Sequence, residues 1–468
     1  MSDRRPPCSL QRRQLLLAGG GLALPALSVQ AQGFNDGEAR QAAVELLRAL
    51  ITDLERPLTG ASLAWMHGDG RVSRAWAGWR TLSADHPSGS LPLEATSLFR
   101  VASISKLALA LAALRLHDAR LLDLDADLST WLRHPLRHPR FPNTPVTARL
   151  ILSHRSSLLE TPMPLADGDA FRRALTQPAN WSPEEPGRHF RYSNFAHAVL
   201  ATAMESAARQ PFDALMQRWL LDPLGMGARY SAAALNAAQR DQLATLYRKP
   251  DRSPQWQAQM DARGEPAHPY ATASALAAVG ENASVHSPHG GLRSSVPDLC
   301  RIARLLMQQG RWEGRRLLSA DSMVQLTRPH WTWGPDSPGE TAGGLMRSWG
   351  LGCQRFTDVS DARGGDRLHS RGGIRAFGHL GSAYGLHSGL LLNTGENADL
   401  NWGVVYVVNG TSQGAQESAG LYSSLRRFEE RLLEILLEFV VPPGAQRNGI
   451  GAALTPSEGP SSAPPETT

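Results

Sequence analysis

The stretch Leu98-Phe99-Arg100-Val101-Ala102-Ser103-Ile104-Ser105-Lys106 runs into an unbroken series of alanine and leucine from Leu107 to Leu114. These are strong helix formers, and a helix that is apolar on every side belongs inside a protein. The sequence therefore predicts a buried central helix that continues to about Leu116 and stops around His117-Asp118-Ala119-Arg120. Ser103 and Lys106 stand at i and i+3 where it begins, so their side chains share a face about a turn apart. A hydroxyl beside an amine is a candidate nucleophile and base. The free N–H groups and positive dipole end of the helix favour the anion that forms when the hydroxyl attacks a carbonyl.

Lysine is otherwise scarce: Lys106 and Lys249 are the only two, and the remaining basic residues are arginine. Arginine keeps its proton in a protein, whereas a desolvated lysine can lose its own and act as a base. A chain that writes its positive charge as arginine but sets a lysine three residues after this serine needs something arginine cannot do.

The remaining composition is that of an ordinary globular protein, with 42% hydrophobic and 19% charged residues in 468. That length suits one large catalytic unit of two lobes. The net charge of +5 falls to about +2 without the first 31 residues, and no basic patch interleaved with aromatics points to nucleic acid. Arg12-Arg13-Gln14-Leu15-Leu16-Leu17, the apolar run to Leu27 and Val29-Gln30-Ala31 read as the positive, apolar and cleavage regions of an export signal, and the paired arginines resemble a twin-arginine leader. The expected mature protein begins near Gln32, lies in the periplasm or outside the cell, and has no stable membrane anchor. Cys8 falls in the leader, which leaves Cys300 and Cys353 as one pair that could form a disulfide.

Along the chain, the spacing of Ala43, Leu46, Leu47 and Leu50 predicts a first amphipathic helix over Asp36 to Asp53. Ala61 to Met66 and Arg71 to Ala77, joined by His67-Gly68-Asp69-Gly70, read as a hairpin. From Leu121 to about Ala278 the pattern is helical segments joined by proline-rich loops. His134 and His138 are spaced like a metal pair, but Pro135 and Pro139 prevent a helix there and no third ligand completes a site, so a surface loop is expected and no metal or other cofactor. A turn at Pro186 to Phe195, carrying Tyr192 and Asn194, precedes an alanine-rich helix from Ala196 to Ala208. Ser295-Val-Pro-Asp298 starts a helix to Gln308. Leu386 to Leu392 and Trp402 to Val408 form a buried hairpin, and Ser424 to Phe439 an amphipathic helix. The Ser/Pro/Thr/Gly tail after Pro443 is expected to be disordered.

Three of these segments fall into one pattern. Ser103-x-x-Lys106, Tyr192-x-Asn194 and His379-x-Gly381 resemble, in order, the three elements of the penicillin-recognising serine hydrolases. Tyrosine in the second element is similar to the branch of class C β-lactamases, serine D,D-carboxypeptidases, D-aminopeptidases and esterases. Leu150 to Leu158, Asp222 to Met226, Gly290 to Ser294 and Gly378 to Gly385 are also similar to family segments, so the resemblance covers about Leu58 to Gly410. His-x-Gly recurs at His289 and His387. His379 fits better, because a glycine precedes it and Ser382 and Gly385 follow. Histidine where the β-lactamases carry lysine resembles the peptidase and esterase members.

The resemblance implies an α/β (α+β) fold of β-lactamase/transpeptidase type. One lobe, residues 34–120 and 285–443, is an antiparallel sheet flanked by helices; the other, residues 121–284, is all-helical; residues 1–31 are the leader and 444–468 the tail. It also implies an acyl-enzyme mechanism on a small-molecule or peptide substrate with a reactive carbonyl, such as a cell-wall peptide, a β-lactam or an ester; the alternative is a catalytically silent penicillin-binding-type module, which would have no need of Lys106. Ser103 attacks, and Lys106 or Tyr192 is the primary base. Asn194 orients Lys106 and bonds the substrate. His379 binds a substrate carboxylate or polarises the site beside Gly381. The main-chain N–H groups of Ser103 and Ser382 form the oxyanion hole.

Overall fold

The computed structural model describes residues 30–32, 37–52, 58–83, 89–132, 134–162, 168–250, 255–263, 278–362, 364–395, 397–411 and 420–441. Nearly all of the expected leader and the whole expected tail lie outside these residues. Gln30–Gln32, at the leader's end, forms β1 on the edge of the main sheet.

The sheet is built from β1, β2 (Gly60–His67), β3 (Val72–Thr81), β4 (Trp331–Thr332), β5 (Ser348–Trp349), β6 (Gln354–Phe356), β7 (Ala376–Ala383), β8 (Leu386–Asn393) and β9 (Trp402–Asn409). Their order is β1-β3-β2-β9-β8-β7-β6-β5-β4, every pairing antiparallel, with Leu91–Pro92 added beside β3. The amino-terminal hairpin thus docks on the carboxy-terminal one, and chain ends far apart in sequence share a single sheet.

Both faces of this sheet are covered, which is why β9 is apolar without alternation. Val404, Tyr406 and Val408 join one core with helices α1 (Gly37–Thr52) and α5 (Arg427–Val440), while Val405 and Val407 join the other. That second core holds α2 (Ile104–Asp118), α3 (Asn194–Ala208) and α4 (Val296–Met307). Every residue of α2 from Leu107 to Leu114 is fully buried, as its composition requires. Burying a leucine side chain contributes about 2 kcal/mol, so this helix anchors the layer between the sheet and the middle of the chain.

Three local expectations change. Residues 121–284 are not all-helical: Arg137–His138 pairs with Phe141–Pro145, and Leu246–Arg248 with Gln257–Met260. Polar, proline-rich runs carry little periodicity, so these short hairpins are legible only once tertiary neighbours pair them. His138 is not a surface residue; it is buried against Trp181 with Nε2 2.7 Å from the Ser182 carbonyl. Among the described residues no group of three or more His, Cys, Asp and Glu could hold a metal ion. Cys300 and Cys353 are separate buried thiols, each pushed up to about 12 by desolvation. No helix of the described residues is long and apolar enough to cross a membrane.

Candidate active site

Ser103 sits at the start of α2 because the chain turns sharply before it. Ala102 takes the left-handed conformation at φ 50°, a costly one for a residue with a Cβ. Ser105 holds the turn: its hydroxyl donates to the Ala102 carbonyl at 2.7 Å and accepts from the Leu292 N–H at 3.1 Å. Ser388 of β8 donates to the Val101 carbonyl at 2.9 Å, tying the same turn to the sheet.

Lys106 is fully buried, and its ammonium donates to Ser103 Oγ at 3.0 Å and to the His289 carbonyl at 2.9 Å. Burial lowers its pKa to about 7, with the carboxylate of Glu160 acting against the shift. The amine is therefore neutral in a large fraction of molecules near neutral pH, beside a hydroxyl it can deprotonate. His289, a rejected candidate for the third motif, enters the site through its main-chain oxygen.

Tyr192 closes the other side. Its ring stacks on His154 with centroids 4.2 Å apart, and Lys106 Nζ lies 4.8 Å from its centroid. Desolvation raises its pKa; a hydrogen bond with Ser103 works against that and Glu160 reinforces it. Burial thus works against Tyr192 as the base. The phenol stays protonated.

Asn194 does not meet Lys106 in the way the resemblance implies. It is the first residue of α3, whose cap is Ser193, with Oγ accepting from the Ala196 N–H at 3.1 Å. The main-chain and side-chain N–H groups of Asn194 instead donate to the exposed carboxylate of Glu160 at 2.5 and 3.3 Å. A carboxylate is favoured at this helix N-terminus, and it puts a negative charge at the mouth of the site.

His379 is buried on β7, and burial together with Lys106 lowers its pKa to about 3. Its Nδ1 lies 2.5 Å from the Leu380 carbonyl, which only accepts, so Nδ1 carries the proton and Nε2 is an acceptor. Among the described residues no hydrogen-bond partner meets that Nε2. A neutral ring cannot offset a carboxylate, which removes half of the role expected of it. His154, His197 and His289 are likewise held well below the ordinary imidazole value by burial. Four neutral imidazoles thus surround one lysine. Sequence reasoning missed His154, His197 and Glu160; the only available signal was that His154 and Glu160 lie in or beside the Leu150 to Leu158 segment.

Strand β7 passes close to Ser103. Strand β6 pairs with it only as far as Gly378, so on that side His379 and Gly381 follow an unpaired edge among the described residues. A Cβ on Gly381 would stand 3.1 Å from the Ser103 nitrogen and 2.8 Å from the Val101 oxygen. Gly381→Ala is expected to push β7 off Ser103, lowering turnover by ~10²-fold, the cost of about 1 Å of misplacement. It should also destabilise the fold by ~1–3 kcal/mol. Steady-state kinetics beside thermal melts would test this, and unchanged kinetics would exclude so close an approach.

The Beta-lactamase family model matches residues 42–424. The chain is 28% identical over 178 residues to the D-alanyl-D-alanine-carboxypeptidase/endopeptidase AmpH of Escherichia coli (strain K12), covering 36% of this chain and 44% of that protein. It is 31% identical over 195 residues to the esterase EstB of Burkholderia gladioli, covering 37% and 47%. The chain thus spans about half the length of the curated relatives it matches. Its fold is that of the D-amino acid amidase of Ochrobactrum anthropi SV3 solved with D-phenylalanine, with a TM-score of 0.57 at 19% identity over 86% of this chain and 98% of that one. A Ser-x-x-Lys pair with its lysine buried beside a sheet of this architecture, and a family match running through most of the sequence, lead to one conclusion: the chain belongs to the Beta-lactamase family.

Proposed function

We propose that this protein is an exported serine hydrolase that cleaves an amide or ester bond through an acyl-enzyme on Ser103. The observation that carries the reading is the buried Lys106 amine, 3.0 Å from Ser103 Oγ and lowered to about 7. In this mechanism neutral Lys106 takes the hydroxyl proton as Oγ attacks the carbonyl. Tyr192, protonated and hydrogen-bonded to Ser103, passes a proton to the leaving amine or alkoxide. Main-chain N–H groups of Ser103 and Ser382 hold the oxyanion, a contribution of ~3–4 kcal/mol per donor. Lys106 then hands the proton it took to the Tyr192 phenolate, which resets both groups; water attacks the acyl carbon, neutral Lys106 takes its proton and returns it to Ser103 Oγ as the acid leaves. Export rests on the Arg12-Arg13 leader and is tested by fractionating cells that express the full chain.

The charges favour substrates of aminopeptidase or esterase type over those recognised by a carboxylate. Glu160 supplies a negative charge at the mouth, and His379 offers a lone pair rather than a positive charge. D-aminoacyl amides and small aryl esters are accordingly the first substrates to assay, and a D,D-carboxypeptidase or class C-like β-lactamase activity is the second reading, favoured by the similarity to AmpH. Peptide mapping after incubation with an aryl ester should find an acyl group on Ser103 of the wild type and none at that position in Ser103→Ala; a wild type that turns the ester over without ever carrying an acyl group on Ser103 would overturn the mechanism.

Glu160→Gln separates the two readings. It is expected to lower kcat/KM for a D-aminoacyl amide with a free ammonium by ~2–5-fold, the scale of one exposed charge pair, and to leave a neutral ester nearly unaffected. Because Glu160 raises the Lys106 pKa, its removal should also move the acidic limb of the pH profile to lower pH. A gain for carboxylate-bearing substrates with no loss for ammonium substrates would favour the carboxypeptidase reading.

A further inference from the structure

The hydroxyl of Ser382 is used by none of the chemistry above, which calls only on its main-chain N–H. Successive residues of a strand face opposite sides. Gly381 faces Ser103, so the Ser382 side chain points to the other face, where it is exposed. The register sets Ser382 directly opposite His387 of β8, and its Oγ lies 3.3 Å from His387 Nε2. His387 Nδ1 lies 3.6 Å from Glu429 Oε2 on α5. Glu429 is held in turn by the Tyr406 hydroxyl, which donates to Oε1 at 2.7 Å, and the imidazole is braced by the Phe428 ring at 5.4 Å. His387 and Glu429 are both buried, whereas the serine at the end of the relay meets solvent.

We propose that Ser382, His387 and Glu429 form a second nucleophilic centre, on the face of the sheet away from Ser103, that accepts acyl groups from small esters. The arrangement repeats the logic of a serine–histidine–carboxylate relay: the carboxylate orients the ring, and the ring accepts the hydroxyl proton. The step is a transfer in which Ser382 Oγ bonds to the acyl carbon and the bond from that carbon to the donor's alkoxide oxygen breaks. The hydroxyl proton passes to His387 Nε2 and from there to the departing alkoxide. The products are an acylated Ser382 and an alcohol, with no further reactant. Although burial raises the Glu429 pKa, His387 and the Tyr406 hydroxyl hold it below the ordinary glutamate value, so the carboxylate is ionised to steady the imidazolium.

The test uses the full chain carrying Ser103→Ala, so that failure of the main mechanism cannot affect the outcome. After incubation with p-nitrophenyl acetate, peptide mapping by mass should find one acetyl group on Ser382, absent from the Ser103→Ala/Ser382→Ala protein. Adding His387→Gln to Ser103→Ala should slow labelling of Ser382 at least ~10-fold in a protein that still melts cooperatively; if that variant does not fold, Glu429→Gln is read for the same slowing. No acetylation of Ser382 in folded Ser103→Ala protein, or an unchanged rate in the folded relay variant, would overturn the proposal.

Discussion

Turnover of every substrate that the wild type cleaves is expected to fall by at least ~10⁴-fold in Ser103→Ala, the scale seen when the nucleophile of a serine hydrolase is removed. The fold should survive, because the lost hydroxyl is half-buried and its removal leaves Lys106 with the His289 carbonyl at 2.9 Å. One hydrogen bond to a charged group is worth about 1.5–3 kcal/mol. Here the amine is partly neutral, so the melting temperature should change little. Parallel melts and single-turnover assays would separate the two effects. A variant that folds and still hydrolyses at wild-type rate on each substrate would exclude Ser103 as the nucleophile.

Lys106→Met is expected to abolish activity and at the same time stabilise the protein. The activity is lost because no other described side chain beside Ser103 is a neutral base of suitable pKa: Tyr192 is raised by burial and His379 is depressed to about 3. The gain in stability follows from linkage. Unfolded, the lysine titrates near its model value of 10.5; folded, it titrates at about 7. The native state therefore binds fewer protons between those values, and the wild type gains stability as pH rises from about 7 to about 10.5. At pH 7 and below, nearly all of the penalty for the buried cation is present, on the order of 4 kcal/mol. Methionine fills a similar volume without it. The melting temperature of Lys106→Met should exceed that of the wild type most clearly at pH 6–7, and the difference should close toward pH 10. A wild-type kcat/KM that rises through about pH 7 is the kinetic counterpart. If the variant is less stable than the wild type at pH 6, Lys106 carries its charge in the fold at no cost, and its role as a base fails.

Much of the architecture was legible in local pattern. The Ala/Leu run after Lys106 had no polar face to show solvent and became α2, fully buried. Trp402 to Val408 was apolar at every position and became a central strand covered on both faces. The amphipathic stripe beginning at Leu425 became α5, although the helix starts only at Arg427 because the Ser423 and Ser424 hydroxyls bond to Glu430 and Gly343 instead. Ser103 and Lys106 were readable as a pair because one helical turn is a distance that sequence spacing prescribes.

The amino-acid order by itself thus determined the buried central helix, the central strands, and which serine and lysine share a helix face, but not the short hairpins within residues 121–284. It did not determine the state of the site. The carbonyl holding Lys106 comes from His289, 183 residues away, and the carboxylate tied to Asn194 from Glu160, 34 residues away. That Lys106 falls to about 7, that Tyr192 rises and that His379 is neutral follow from how much water each has lost and which charges stand near it. Dielectric and charge proximity are properties of the packed molecule, summed over neighbours that no local period brings together. Only the tertiary structure decided them.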